Sequence, residues 1–493
     1  MDVYLAGLQL IARWDVIAAL LAGSFGGVVI GVIPGIGPPI AIAILLPATF
    51  SMDPLVGLTL LLGIYGSSMF GGAVPAVLIN TPGTAVNALT TYDGYPMTQR
   101  GEAARALSLC YGSSFVGGVF SVLCLMALAP VLATIAPMFG SREIFMAALL
   151  GMVLVVVAHR GRTLASGALL CFGVFLQSIG LEPVGYTQRF TFGQSWLTGG
   201  IDLIVVVLGL FALSQAYDLL LGEDDTPATP SLKGGLFRGL REVFRFPRVF
   251  LPSATFGTLM GIIPGVGEFT AQFLSYTLAQ KTSPQPERFG HGAPEGIIAA
   301  ETSNNAVPAA AMIPLLALGI PGEALTAMML SVFYVHNVVP GPDLFLHKMD
   351  FVMALYICLL LLNILALVFL VIATKPLLKV VAIPNRFLGM TILTLSFVGV
   401  YSLRNSMIDC ALAAVFGLLG MVLKRLNLPV VPIILGMVLG GIMENKFRTS
   451  LPRIDSLTDW ISRPIAAGIF YAVVGVLIIH FLGLWRARAR RMS

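Results

Sequence analysis

Gly31-Val32-Ile33-Pro34-Gly35-Ile36-Gly37 returns in the second half of the chain as Gly261-Ile262-Ile263-Pro264-Gly265-Val266-Gly267, each copy set inside an apolar run. Further along, Pro75 and Pro82-Gly83 recur in the same order as Pro314 and Pro321-Gly322. Proline removes a backbone donor and collides with the preceding helical turn, while glycine tolerates positive φ. Pro-Gly-x-Gly is therefore a turn, not the middle of a helix. Around these turns the 493 residues are 57% hydrophobic and only 11% charged, against about 25% charged in soluble domains. Apolar runs of about 20 residues, long enough to span a bilayer, recur from end to end. The expected fold is an all-α polytopic membrane protein of about 12 transmembrane segments. Two repeats are expected, each containing a re-entrant hairpin and a broken helix.

Loop charge sets the expected orientation, because Lys and Arg favour cytoplasmic loops. The densest cluster is Lys233, Arg238, Arg241, Arg245 and Arg248, and the tail carries Arg486, Arg488, Arg490 and Arg491. With both inside, the loops holding Arg100/Arg105, Arg160/Arg162, Lys281/Arg288, Lys375/Lys379/Arg386 and Lys424/Arg425 also fall inside. Those holding Arg142, Arg189, Lys348 and Arg404 fall outside. The stretch 444–463, with four basic residues, is left without a side. The loop near Asp93–Arg105 is then cytoplasmic and its counterpart Tyr334–Lys348 is not, so the repeats are inverted. The division is 1–221 for the first repeat, 222–248 for a basic cytoplasmic linker with an amphipathic segment, and 249–493 for the second. The C-terminus is cytoplasmic.

The N-terminus lacks a basic region before its first apolar run, so no cleaved signal peptide is expected. The five cysteines and five histidines show no metal-type spacing. The net charge of +5 sits in loops and is no nucleic-acid signal. No metal site and no organic cofactor are expected.

A turn inside hydrocarbon frees backbone groups at several kcal/mol each, so it must be shielded by protein or line a wet cavity. The half-helix leaving such a turn offers free N–H groups and a positive dipole end, both suited to an anion. The candidate substrate-binding residues are Gly35, Ile36, Gly37, Asn80, Thr81, Pro82, Gly83, Thr84, Gly265, Val266, Gly267, Pro321 and Gly322. Ser303, Asn304 and Asn305 offer oxygens to a coupling cation, with Na⁺ the fitting ion. Glu268 and Glu323 follow two of the turns; either carries a coupling proton or cation, or it merely caps a half-helix. The plain alternative for the Gly and Pro residues is close helix packing. Their ordered, paired recurrence favours a site.

Several stretches carry a family resemblance. They are Gly31–Leu46, Tyr65-Gly66-Ser67 leading to Leu78-Ile79-Asn80-Thr81-Pro82-Gly83, Asp93-Gly94-Tyr95-Pro96-Met97, Arg189-Phe190-Thr191-Phe192-Gly193, Gly209–Ser214, Pro286-Glu287-Arg288-Phe289-Gly290, Glu301-Thr302-Ser303-Asn304-Asn305-Ala306 and Leu318-Gly319-Ile320-Pro321-Gly322. In this order the chain resembles the large membrane subunit of tripartite tricarboxylate transporters, the TctA family. The resemblance implies a bacterial inner-membrane protein with a small four-helix membrane subunit (TctB-like) and a periplasmic solute-binding protein (TctC-like). It implies secondary active uptake of di- or tricarboxylates such as citrate, driven by Na⁺ or H⁺. The chain departs from the family pattern at Glu268 and Glu323, where members often carry small or uncharged residues. No G-x-x-x-x-G-K-[ST] phosphate loop is present, in keeping with gradient-driven transport.

Two other classes compete with this reading. A passive organic-anion channel needs a continuous polar pore. An intramembrane enzyme needs a nucleophile with a base, or a metal set, within apolar segments, and the sequence offers neither.

Overall fold

A computed structural model describes residues 2–492 except 35, 160, 183–184, 223–234, 266, 382 and 455. Gly35, Val266 and part of the basic linker therefore lie outside the described residues. Within them the chain is helical apart from one short antiparallel hairpin, Gly180–Leu181 with Gln188–Arg189. This is an all-α polytopic membrane protein. Nine helices among the described residues are long and apolar enough to cross a membrane, and three apolar helices are shorter. The helix Pro294–Leu318 has the length but not the hydropathy, because Glu301, Thr302, Ser303, Asn304 and Asn305 sit in its middle. Polar side chains cannot face lipid cheaply, and nearly every residue of this helix is buried.

Two central helices, Pro54–Ile79 and Pro294–Leu318, form the deepest part of the molecule. Each is packed by the helix that leads into the first break of its half, Trp14–Val32 on the first and Pro247–Ile262 on the second. Small residues set the spacing. A Cβ on Gly27 would lie 2.7 Å from the Gly63 carbonyl, and one on Gly261 would lie 2.7 Å from the Ala310 Cβ. Close backbone approach of this kind is what drives helix association where lipid removes the hydrophobic contrast.

The interruptions fall where the sequence puts them. Trp14–Val32 stops and Pro38–Thr49 begins after a five-residue gap, Ile33 to Gly37; Pro247–Ile262 stops and Gly267–Thr282 begins after a four-residue gap in the matching place. Both central helices end on a left-handed residue at matching places, Asn80 at φ 56° and Gly319 at φ 69°. Below each cap the carbonyl of an internal proline is used again: Asn80 donates to Pro75 and Ile320 to Pro314. Ala103–Ile135 packs on the second central helix, whereas Met349–Val381 packs on the first. Each half thus sends a long helix across the other. The linker's described end, Phe237–Glu242, lies on Ala103–Ile135, where Arg105 pairs with Glu242 at 2.5 Å.

Candidate functional site

All four interruptions open on one cavity of about 560 Å³. Gly37 and Pro38 come from the first, Gly83 and Thr84 from the second, Gly267 and Glu268 from the third, and Glu323 from the fourth. Two of the tips are tied directly: Gly265 donates its N–H to the Gly322 carbonyl at 2.6 Å. Gly83 donates to the Gly72 carbonyl at 3.1 Å, folding the second tip back on its own helix. A further cavity of about 670 Å³ borders Ala324–Val335 at Ala327, Leu330 and Tyr334, so this half-helix lies between two hollows.

Three helices start on the cavity wall: Pro38–Thr49, Gly267–Thr282 and Ala324–Val335. Pro38 and Pro39 carry no N–H, and Ile40 and Ala41 bond back to the Gly37 carbonyl, so the first of these helices offers only the positive end of its dipole. The other two also have first-turn N–H groups without helical partners, and all three dipoles add to the same field. Lys424 supplies the wall's single Lys or Arg among the described residues. Its ammonium donates to Gln215 at 2.9 Å and reaches Asp218 at 3.4 Å. Loop counting set Lys424 in a cytoplasmic loop. It lies in the last turn of Met407–Arg425 and borders the cavity.

The same wall carries two acids joined through one phenol. Tyr65, fully buried in the first central helix, has its hydroxyl 3.1 Å from Glu268 Oε1 and also bonded to Glu323 Oε1. A tyrosine hydroxyl has a single proton to give. The second bond is made only when one of the carboxyls carries a proton of its own. Glu323 is also the N-cap residue of Ala324–Val335, its backbone N–H donating to Thr326 Oγ1 at 3.1 Å. Glu323 thus takes the capping position that the sequence left open, and its meeting with Glu268 through Tyr65 is an addition that the sequence did not indicate.

The remaining candidates divide. Pro82, Gly83, Thr84, Gly265 and Gly267 line the cavity with Gly37; Ile36, Pro321 and Gly322 are buried just behind it. Asn80 and Thr81 are exposed and off its wall: Asn80 is spent as a helix cap, and Thr81 Oγ1 donates to the Ile79 carbonyl. Ser303, Asn304 and Asn305 are buried within the second central helix, away from this wall. Ser303 bonds back to its own helix at Ala299 and Ala300.

Sequence reading passed over three buried groups. Glu301, fully buried, accepts from Thr90 at 2.5 Å, from Asn87 and Ser114 at 3.0 Å each, and from Asn305 at 3.4 Å. Asp93 Oδ1 accepts from the backbone of Gly290, Gly292 and Ala293, and Oδ2 accepts from the Tyr276 hydroxyl at 2.8 Å. Burial raises the Asp93 carboxyl above its usual range, against the pull of these donors. Tyr65 is the third. Their partners lie roughly 200 positions away along the chain, beyond what spacing reveals. For Tyr65 and Glu301 the signal available was a phenolic or titratable residue flanked by apolar sequence; Asp93, in the polar helix Thr90–Gln99, carried none.

Apolar helices broken around one anion-suited cavity define a multi-pass membrane protein of the transporter class. The chain belongs to the tripartite tricarboxylate transporter TctA family, whose model matches residues 17–435. It is 33% identical over 481 residues to an uncharacterized 52.8 kDa protein in the TAR-I ttuC′ 3′ region of Agrobacterium vitis, covering 96% of this chain and 94% of that one. An uncharacterized protein in the TAR-II ttuC′ 3′ region of the same organism is 35% identical over 238 residues, 47% of this chain and 96% of its own length. No solved structure matches the chain.

Proposed function

We propose that this chain is the transporting subunit of a secondary uptake system for di- and tricarboxylates in the bacterial inner membrane. Its C-terminus is cytoplasmic, and a Na⁺ or H⁺ gradient drives it. A periplasmic binding protein delivers the ligand, and a small four-helix membrane subunit completes the assembly. The two halves are inverted repeats, and the broken helices move together between an outward and an inward gate. What supports this reading is the cavity on which all four interruptions open. Its volume falls in the range of about 300–1,000 Å³ usual for small-molecule sites, ample for a citrate-sized anion. Helix N-termini and one ammonium give it a positive field with few basic side chains.

An anion cannot share that wall with two ionised carboxylates. Glu268 and Glu323 must be protonated or cation-neutralised when it enters. The test is uptake of radiolabelled citrate and succinate into proteoliposomes containing all three components. Accumulation above the external concentration under an imposed Na⁺ or pH gradient is expected. Equilibration that never exceeds the external level would instead indicate a passive organic-anion channel.

A further inference from the structure

The helix Gly267–Thr282 has one buried face, made of Glu268, Ala271, Gln272, Ser275, Tyr276 and Ala279. Four of these six side chains are polar, a costly choice inside a membrane protein. Gln272 is fully buried and neither its amide nitrogen nor its oxygen has a hydrogen-bond partner; the Ser275 hydroxyl, also buried, has none either. Buried groups of this kind are held by internal water or serve a polar path. The face starts at the acid pair of the cavity. It ends at Tyr276, whose hydroxyl donates to Asp93 at 2.8 Å beneath the loop Gly290–Ala293. From Glu268 to Tyr276 the path rises about 12 Å, eight residues of helix.

We infer that this face is a proton path, linking the Glu268–Tyr65–Glu323 group in the cavity to the buried Asp93 beneath the loop Gly290–Ala293, and that H⁺ is the ion coupled to carboxylate uptake. Its role in transport rests on the function proposed above. With the anion bound, both carboxyls carry a proton and the acid pair is neutral. When the anion leaves, one carboxyl O–H bond breaks. That proton passes through water held by Gln272 and Ser275 to the Asp93 carboxylate, and from there to solvent. The pair keeps one proton, shared through Tyr65, and one negative charge. No electrons move and no co-reactant is needed.

Other charged and titratable groups nearby have partners of their own: Arg100 donates to the His291 and Gly292 carbonyls of the loop over Asp93, at 3.0 Å each. Lys424 and His159 share the cavity wall, with Lys424 held by Gln215 and Asp218 and the His159 ring bonded to the Val155 carbonyl. Glu301, on the adjoining central helix, is occupied by its four donors. Tyr92 packs edge-on against Tyr276.

The test uses the complete three-component system in proteoliposomes loaded with a pH-sensitive dye, with citrate and succinate as ligands. Two assays run in parallel: carboxylate exchange at equal pH, which needs no net proton movement, and accumulation driven by a pH gradient. Gln272→Leu and Ser275→Ala replace unpartnered polar atoms by apolar ones, so neither is expected to melt below wild type. Both are expected to keep exchange within about twofold while losing pH-driven accumulation and its proton signal on the order of tenfold, one 1.4 kcal/mol step. Wild-type proton coupling in both variants, or wild-type accumulation driven by Na⁺ without proton movement, would overturn the path. Absence of exchange of either ligand by the wild type would instead sink the proposed function and leave its failure separable.

Discussion

Gly265 sits at φ +81°, and a Cβ there would lie 2.6 Å from Val155 Cγ2 and 2.8 Å from the Val155 backbone nitrogen. Left-handed backbone costs an L-residue about 1–2 kcal/mol, and overpacking against the Ser141–Ala158 helix adds about 1–3 kcal/mol. Gly322 differs: its φ is ordinary, and the nearest atom to a new Cβ is the Gly261 carbonyl oxygen at 3.5 Å. Gly265→Ala is therefore expected to lose most citrate uptake while still reaching the membrane. Gly322→Ala is expected to retain uptake, and only a bulky residue such as Leu should abolish it. Uptake rates normalised to membrane content check the pair, and equal losses in the two alanine variants would contradict the geometry.

Packing between helices depends on the same economy of atoms. Gly261→Leu would drive a side chain into Val307 and Ala310 of the second central helix, at a cost of about 1–3 kcal/mol. Lower thermal stability of the detergent-purified protein is expected, alongside lost uptake. An unchanged melting temperature would show that the two helices can separate freely. These breaks were legible from Pro34, Pro82, Pro264 and Pro321 because proline and glycine act locally, within a turn of themselves. The partners of Tyr65, Asp93 and Glu301 were not legible, since they join segments that meet only after folding. The place of Lys424 on the cavity wall was not legible for a related reason: loop-charge counting asks which side a cation lies on, not whether its stem reaches inward. Asn80 drew notice as a polar residue at a break, and a left-handed cap favours the same residue type as a polar binding site.

Assembled, the four interruptions form one lined chamber. The half-helix Ala324–Val335 has hollows on two sides, the arrangement two alternating gates require. A chamber that opens to one side at a time gives its lining residues an accessibility that switches with ligand and gradient; a fixed pore gives them constant accessibility. Val86 and Phe269 line the cavity from opposite halves of the chain. The most direct measurement is labelling of Val86→Cys and Phe269→Cys, each in a background lacking the five native cysteines, by a membrane-impermeant maleimide applied to one side. The prediction is labelling from either face in turn, slowed by citrate or succinate, with both positions switching together. Constant labelling indifferent to ligand, or positions that respond independently, would contradict a shared, alternately opened site.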